Sequence, residues 1–187
     1  LTQIFNKTIK SLPSKQTLEK AEYEACVIKD FDINGINLSG YVFIDCVFEG
    51  CNLSLCKLSQ TAFRNVQFNG CKLLGLRWED CHTFLFSVNF EKSNLDMGNF
   101  YGMKLKKTNF KECSMREVDF TDADLSDSVF EACDFTNAVF DQSNLSNSDF
   151  STSNQYVINP SNNIMKNAKF SWPAAKGLLL EFGIKVE

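Results

Sequence analysis

The residues of this chain best suited to chemistry are eight cysteines, a single histidine and 23 acidic side chains. Thiols hold a metal when they come in close pairs, typically two cysteines separated by two residues. No such pair occurs among Cys26, Cys46, Cys51, Cys56, Cys71, Cys81, Cys113 and Cys133. His82 has no partner set that would complete a metal site or a nucleophile–base pair, and no glycine-rich phosphate loop is present. The expectation is a protein that is not an enzyme, with no catalytic residue, no metal and no cofactor.

Charge is distributed unevenly. Residues 117–165 contain no Lys or Arg but hold Glu117, Asp119, Asp122, Asp124, Asp127, Glu131, Asp134, Asp141 and Asp149. Just before them, Lys104, Lys106, Lys107, Lys111 and Arg116 face Glu112 alone. A net charge of −4 and so small a basic cluster argue against direct nucleic-acid binding. The acidic stretch reads either as a solvated face or as a surface that draws in a basic partner.

What positions these groups is a repeat. From Phe90 onward a large apolar residue returns at every fifth place: Phe90, Leu95, Phe100, Leu105, Phe110, Met115, Phe120, Leu125, Phe130, Phe135, Phe140, Leu145, Phe150. A small residue usually stands two places before each, and an Asn or Asp often lies between. Neither helix nor simple strand has this period. On a short extended segment the small and large residues point inward, the residue between them points outward, and the remaining two turn a corner. All eight cysteines occupy the small inward position, so they read as buried thiols in a reducing compartment. In the first half the series Leu38, Phe43, Phe48, Leu53 is repeated in kind by Leu58, Phe63, Phe68, Leu73. That twenty-residue period implies a coil with four sides, in which like residues stack.

The lattice slips once, because two extra residues sit within residues 82–87. A bulge there pushes out Phe84 or Phe86, and it reads as a tolerated kink or as an exposed aromatic contact. Residues 1–17 depart from the repeat and are expected to cap the first coil, with Ile4 and Phe5 as plugs. After the shaft of residues 18–170, residues 171–187 are expected to form a short helix, capped at Ser171, and a tail. Its Leu178, Leu179, Leu180 and Phe182 either close the shaft or also pair two chains. No apolar run approaches a membrane span and residues 1–25 do not resemble a signal peptide, so a cytoplasmic protein without membrane contact is expected.

Units such as Ala123-Asp124-Leu125-Ser126-Asp127 and Cys133-Asp134-Phe135-Thr136-Asn137 resemble the consensus of the pentapeptide-repeat family. The resemblance implies an all-β fold, a right-handed quadrilateral parallel β-helix of about seven to eight coils. The stretches Thr83-Phe84-Leu85-Phe86-Ser87-Val88-Asn89, Leu105-Lys106-Lys107-Thr108 and Ile158-Asn159-Pro160-Ser161-Asn162-Asn163-Ile164, and the tail from Gly177 to Val186, are similar to immunity proteins against gyrase-poisoning microcins. The tail also resembles the Qnr-type quinolone-resistance proteins. This second resemblance implies a DNA-mimicking rod that binds DNA gyrase or topoisomerase IV, protects it from poisons, and dimerises through its C-terminal end. The partner-binding residues it implies are Asp119, Asp122, Asp124, Asp127, Asp134 and Asp141. The alternative is a structural or scaffolding module whose partner is another protein.

Overall fold

The structure is a computed structural model that describes residues 1–10 and 17–184. The middle of the expected N-terminal cap (residues 11–16) and the end of the tail (residues 185–187) lie outside the described residues. The chain winds into a parallel β-solenoid with four walls. The first wall is a nine-stranded parallel sheet that runs from Thr8–Lys10 to Lys169–Phe170. Its inward residues include Phe48, Phe68, Phe90, Phe110, Phe130, Phe150 and Phe170. Successive rungs pair Phe90 with Phe110 and Phe110 with Phe130, each a twenty-residue step. The second and third walls are held by isolated bridges, among them Asn94 with Ser114 and Asn99 with Asp119. The fourth begins as a four-stranded sheet, Thr2–Phe5, Ala21–Glu24, Val42–Ile44 and Ala62–Arg64. It continues beyond residue 100 as bridges between Lys104, Asp124, Asn144 and Ile164.

The five-residue period works because most corners are tight turns whose second residue adopts a left-handed backbone. Even Leu55 (φ 57°), Met97 (φ 57°) and Ala132 (φ 53°) do so without being glycine. Such a conformation costs an L residue on the order of 1–2 kcal/mol. The ladder offsets that cost, since the corner amide donates to the next coil, as Leu55 N–H does to the Leu74 carbonyl at 2.9 Å. Inside, rings stack along the axis, with centroids of Phe110 5.2 Å from Phe90 and 5.0 Å from Phe130. Phe110 is wholly buried.

Two features differ from the sequence expectation, and a third, the slip, agrees with it. Residues 1–10 do not simply plug an end: Ile4 pairs with Tyr23 and Ile9 with Ile28, a nineteen-residue step that extends both sheets by one rung. Ile4 packs against the core, whereas Phe5 is exposed. The two extra residues do fall before Val88, which pairs with Val66 at a step of twenty-two. The expected C-terminal helix is instead two 3-10 turns, Ala175–Leu178 and Leu180–Phe182. So short a segment has little helical stability of its own, and packing decides its shape. Gly177 lies against the last coil so closely that a Cβ would come 1.9 Å from the Tyr156 carbonyl oxygen. The Ser171 carbonyl accepts from Ala175 N–H at 2.9 Å, but no side chain caps the turn.

The burial pattern sets the expected mutational response. Phe110→Ala should lower the free energy of unfolding by about 3–5 kcal/mol. Asp124→Ala removes only partly buried hydrogen bonds and should cost about 1 kcal/mol or less; comparable losses in urea titrations would contradict the inward and outward assignment. Gly177→Ala should displace the two C-terminal turns, and amide exchange should quicken over residues 171–184 while the central shaft remains protected.

Candidate protein-interaction surfaces

The walls and corners place the acidic residues. Asp119 projects from the third wall, Asp124 from the fourth, and Asp122 and Asp141 occupy consecutive rungs of the corner between them. Asp127 sits on the following corner. Their carboxylates are held in defined positions: Asp119 Oδ1 accepts from Thr121 N–H at 2.8 Å, and Asp124 Oδ1 from Ser126 N–H and Asn144 Nδ2, both at 3.1 Å. Asp141 Oδ1 accepts from Asn162 Nδ2 at 3.1 Å. Asp122 is exposed, and its carboxylate pushes up the pKa of the neighbouring Tyr101 hydroxyl. Lys106 approaches Asp127 at 3.4 Å.

Asp134 is not with them. It projects from the second wall, across the coil from Asp124, and takes a 2.7 Å hydrogen bond from Arg116 Nε. Burial raises its pKa, but hydrogen bonds from Thr136 and Arg116 outweigh that and hold it below the ordinary 3.8. Five of the six carboxylates expected at one site therefore lie on the third and fourth walls and the corners that border the fourth, and the sixth is partnered on another wall. Glu79 and Asp80, which the sequence reading did not single out, stand on the third-to-fourth corner two rungs earlier, both held by Arg77.

The two inserted residues emerge on the fourth wall. Phe84 and Leu85 are 63% and 65% exposed, and Leu85 forms the turn with φ 57°. His82 Nδ1 accepts from Phe84 N–H at 3.3 Å, and the Arg64 guanidinium lies 5.8 Å from the centre of the Phe84 ring. Phe86 instead packs inward, edge-on to Phe63 and Trp78. The loop thus exposes one of the two candidate phenylalanines. Between the loop and the next rung lies a groove of about 370 Å³ lined by Thr83, Leu85, Phe86, Gly102, Met103 and Lys104.

At the C-terminal end Tyr156 and Ile158 are buried and close the last coil. Leu178 packs against the core, while Leu180 (52%) and Phe182 (51%) are exposed and Leu179 less so. Trp172 is 89% exposed. It carried no signal in the sequence, since a lone tryptophan beside the Ser171 and Pro173 turn residues fits no lattice position.

All eight cysteines are buried and unpaired. Burial pushes the Cys46 and Cys56 thiols up to about 11. Among the described residues, no three of His, Cys, Asp or Glu are grouped to hold a metal.

Two measurements follow from these environments. A thiol reagent at neutral pH should leave the folded protein unmodified and label eight thiols once denaturant is added. The depressed pKa of Asp134 contributes stability that is complete above the ordinary carboxylate value of 3.8 and lost as pH falls through the lower folded value. Asp134→Asn should therefore flatten the acid limb of a stability–pH profile while destabilising the protein at neutral pH by less than about 1 kcal/mol.

Two family models match the chain, "Pentapeptide repeat region" over residues 83–159 and "Pentapeptide repeats (8 copies)" over residues 29–60 and 36–75. No curated protein sequence matches it. Among solved structures, a trypsin-treated variant of QnrB1, a plasmid-mediated fluoroquinolone resistance protein, aligns with a TM-score of 0.65 at 18% identity. That alignment covers 100% of this chain and 98% of QnrB1. HetL, a pentapeptide repeat protein involved in heterocyst differentiation regulation from the cyanobacterium Nostoc, aligns with a TM-score of 0.67 at 14% identity, over 90% of this chain and 84% of its own. At such identities the likeness concerns the fold. Repeat, register and matches agree, and the chain belongs to the pentapeptide-repeat family.

Proposed function

We propose that this protein is a non-enzymatic rod whose acidic edge occupies the DNA-binding surface of a type II topoisomerase, DNA gyrase or topoisomerase IV, and shields the enzyme from poisons such as quinolones or microcins. The observation that carries the reading is the edge formed by Asp119, Asp122, Asp124, Asp127 and Asp141. It sets Asp119, Asp122, Asp124 and Asp127 on one coil and Asp141 on the next, and no Lys or Arg occurs in residues 117–165 to neutralise them from within the stretch. A fold shared with QnrB1 over nearly the whole length of both chains supports the same reading. Asp134, paired with Arg116, is left out of the proposed contact. The apolar C-terminal end, with Trp172, Leu180 and Phe182 outward, suits a second copy of the chain, giving a homodimer. A cytoplasmic site accords with such a partner and with eight unpaired thiols; no helix of the described residues is long and apolar enough to cross a membrane.

A second reading, a scaffold that binds another protein through the 82–87 loop, is favoured by the exposure of Phe84 and Leu85. Salt separates the two, since screening weakens contacts between exposed charges and leaves apolar ones intact. In a gyrase supercoiling assay with a quinolone, the protein should restore activity in a dose-dependent way. Combined Asp122→Lys, Asp124→Lys and Asp141→Lys should abolish rescue in a protein that still folds, while Asp134→Asn should retain it. Absence of rescue by the wild-type chain at every salt concentration, with gyrase and topoisomerase IV alike, would remove the topoisomerase reading.

A further inference from the structure

The 82–87 loop interrupts the backbone ladder of the fourth wall. Elsewhere an outward wall residue hydrogen-bonds to the coil before it: Asn99 N–H donates to the Leu76 carbonyl, and Trp78 N–H donates to the Asn99 carbonyl, both at 2.9 Å. Lys104 occupies the equivalent place on the fourth wall. It bridges forward to Asp124, with Asp124 N–H donating to the Met103 carbonyl at 2.9 Å. Toward the preceding coil its own N–H and C=O meet no backbone partner among the described residues. The cause is the loop, which swings outward at Phe84 and Leu85 after the sheet of this wall has ended at Ala62–Arg64. The groove of about 370 Å³ lies along this open edge, with Phe86 and Met103 as an apolar floor. It suits an extended segment and is too small for a helix, whose diameter with side chains is about 10–12 Å.

We propose that this groove is a docking site for an extended segment of another protein, in which an Asp or Glu is flanked by small apolar residues. Such a segment adds a strand at Lys104 and completes the interrupted ladder. Strand geometry then dictates its pattern. The residue opposite Lys104 points outward, beside the lysine ammonium, and its two neighbours point inward to the apolar floor. The charge at the groove selects the acid: Lys104 is the one charged residue that lines it, and it pairs with no carboxylate among the described residues. The site adjoins the acidic edge, since Lys104 bridges to Asp124, but it is built from different groups, an unpaired backbone edge and an ammonium, and its test does not depend on topoisomerase binding.

The test is an amide NMR titration of the full chain with an unlabelled capped pentapeptide, Ser-Val-Glu-Val-Ser. Saturable shifts should map to residues 83–86 and 102–104, and exchange of the Lys104 amide should slow as it gains an acceptor. Methylating the backbone nitrogen of the Val that follows the peptide Glu should weaken binding by at least about tenfold, because in the parallel ladder that residue is the donor to the Lys104 carbonyl. Replacing that Glu with Lys should weaken it similarly, and Lys104→Glu in the protein should reverse the preference between the two peptides. Absence of saturable shifts at millimolar peptide, shifts centred outside the groove, or equal binding by the methylated peptide would overturn the proposal.

Discussion

Everything in this molecule depends on the in-register stacking of one coil on the next. Each coil is extended for no more than four residues at a time, too short for any wall to hold a strand alone. Stability comes from repetition along the axis, where corner and wall amides bond to the coil above and like side chains stack on like. The run Phe90, Phe110, Phe130, Phe150 keeps ring centroids 4.4–5.2 Å apart. Each aromatic contact adds about 0.5–1.5 kcal/mol beyond the area it buries. The cooperative unit is therefore a column, which is why the left-handed corners can be filled by Leu, Met or Ala as well as by glycine.

The same constraint shapes the surface. Outward residues also stack twenty apart, so a charge introduced at one place has neighbours directly above and below it. Asp124 beneath Asn144, and Asp127 between Lys106 and Asn147, show carboxylates spaced by amides that donate to them. This arrangement keeps an acidic edge from repelling itself apart while leaving its outer lone pairs free. The opposite side uses a different solution, with Arg116 paired to Asp134.

An insertion is felt differently by each wall. Two added residues leave the first wall's sheet continuous, because Val88 to Glu91 simply pair twenty-two places back. On the fourth wall the same residues break the sheet, expose Phe84 and Leu85, and leave Lys104 without a neighbour on one side. The core stays filled because Phe86 turns in against Trp78 and Phe63. An interruption of the ladder thus creates a recess in an otherwise smooth rod, with its own charge and its own unpaired backbone.

By itself the sequence determined the repeat, the four-walled coil, the inward columns, the burial of every cysteine and the location of the slip. These are local consequences of a five-residue period, and each unit carries them in its own small, polar and large residues. What only the tertiary structure decided is which distant residues share a face. Asp134 looks equivalent to Asp124 in its repeat unit, yet the coil carries it to another wall and Arg116 claims it. The strands at residues 2–10 are one residue out of step with the later lattice, so their pairing shows only in the stacked sheets. The C-terminal turns dock at Gly177, where the Tyr156 carbonyl leaves no room for a side chain. In each case the outcome depends on a neighbour about twenty residues away along the chain and one strand spacing away in space, which no single repeat unit encodes.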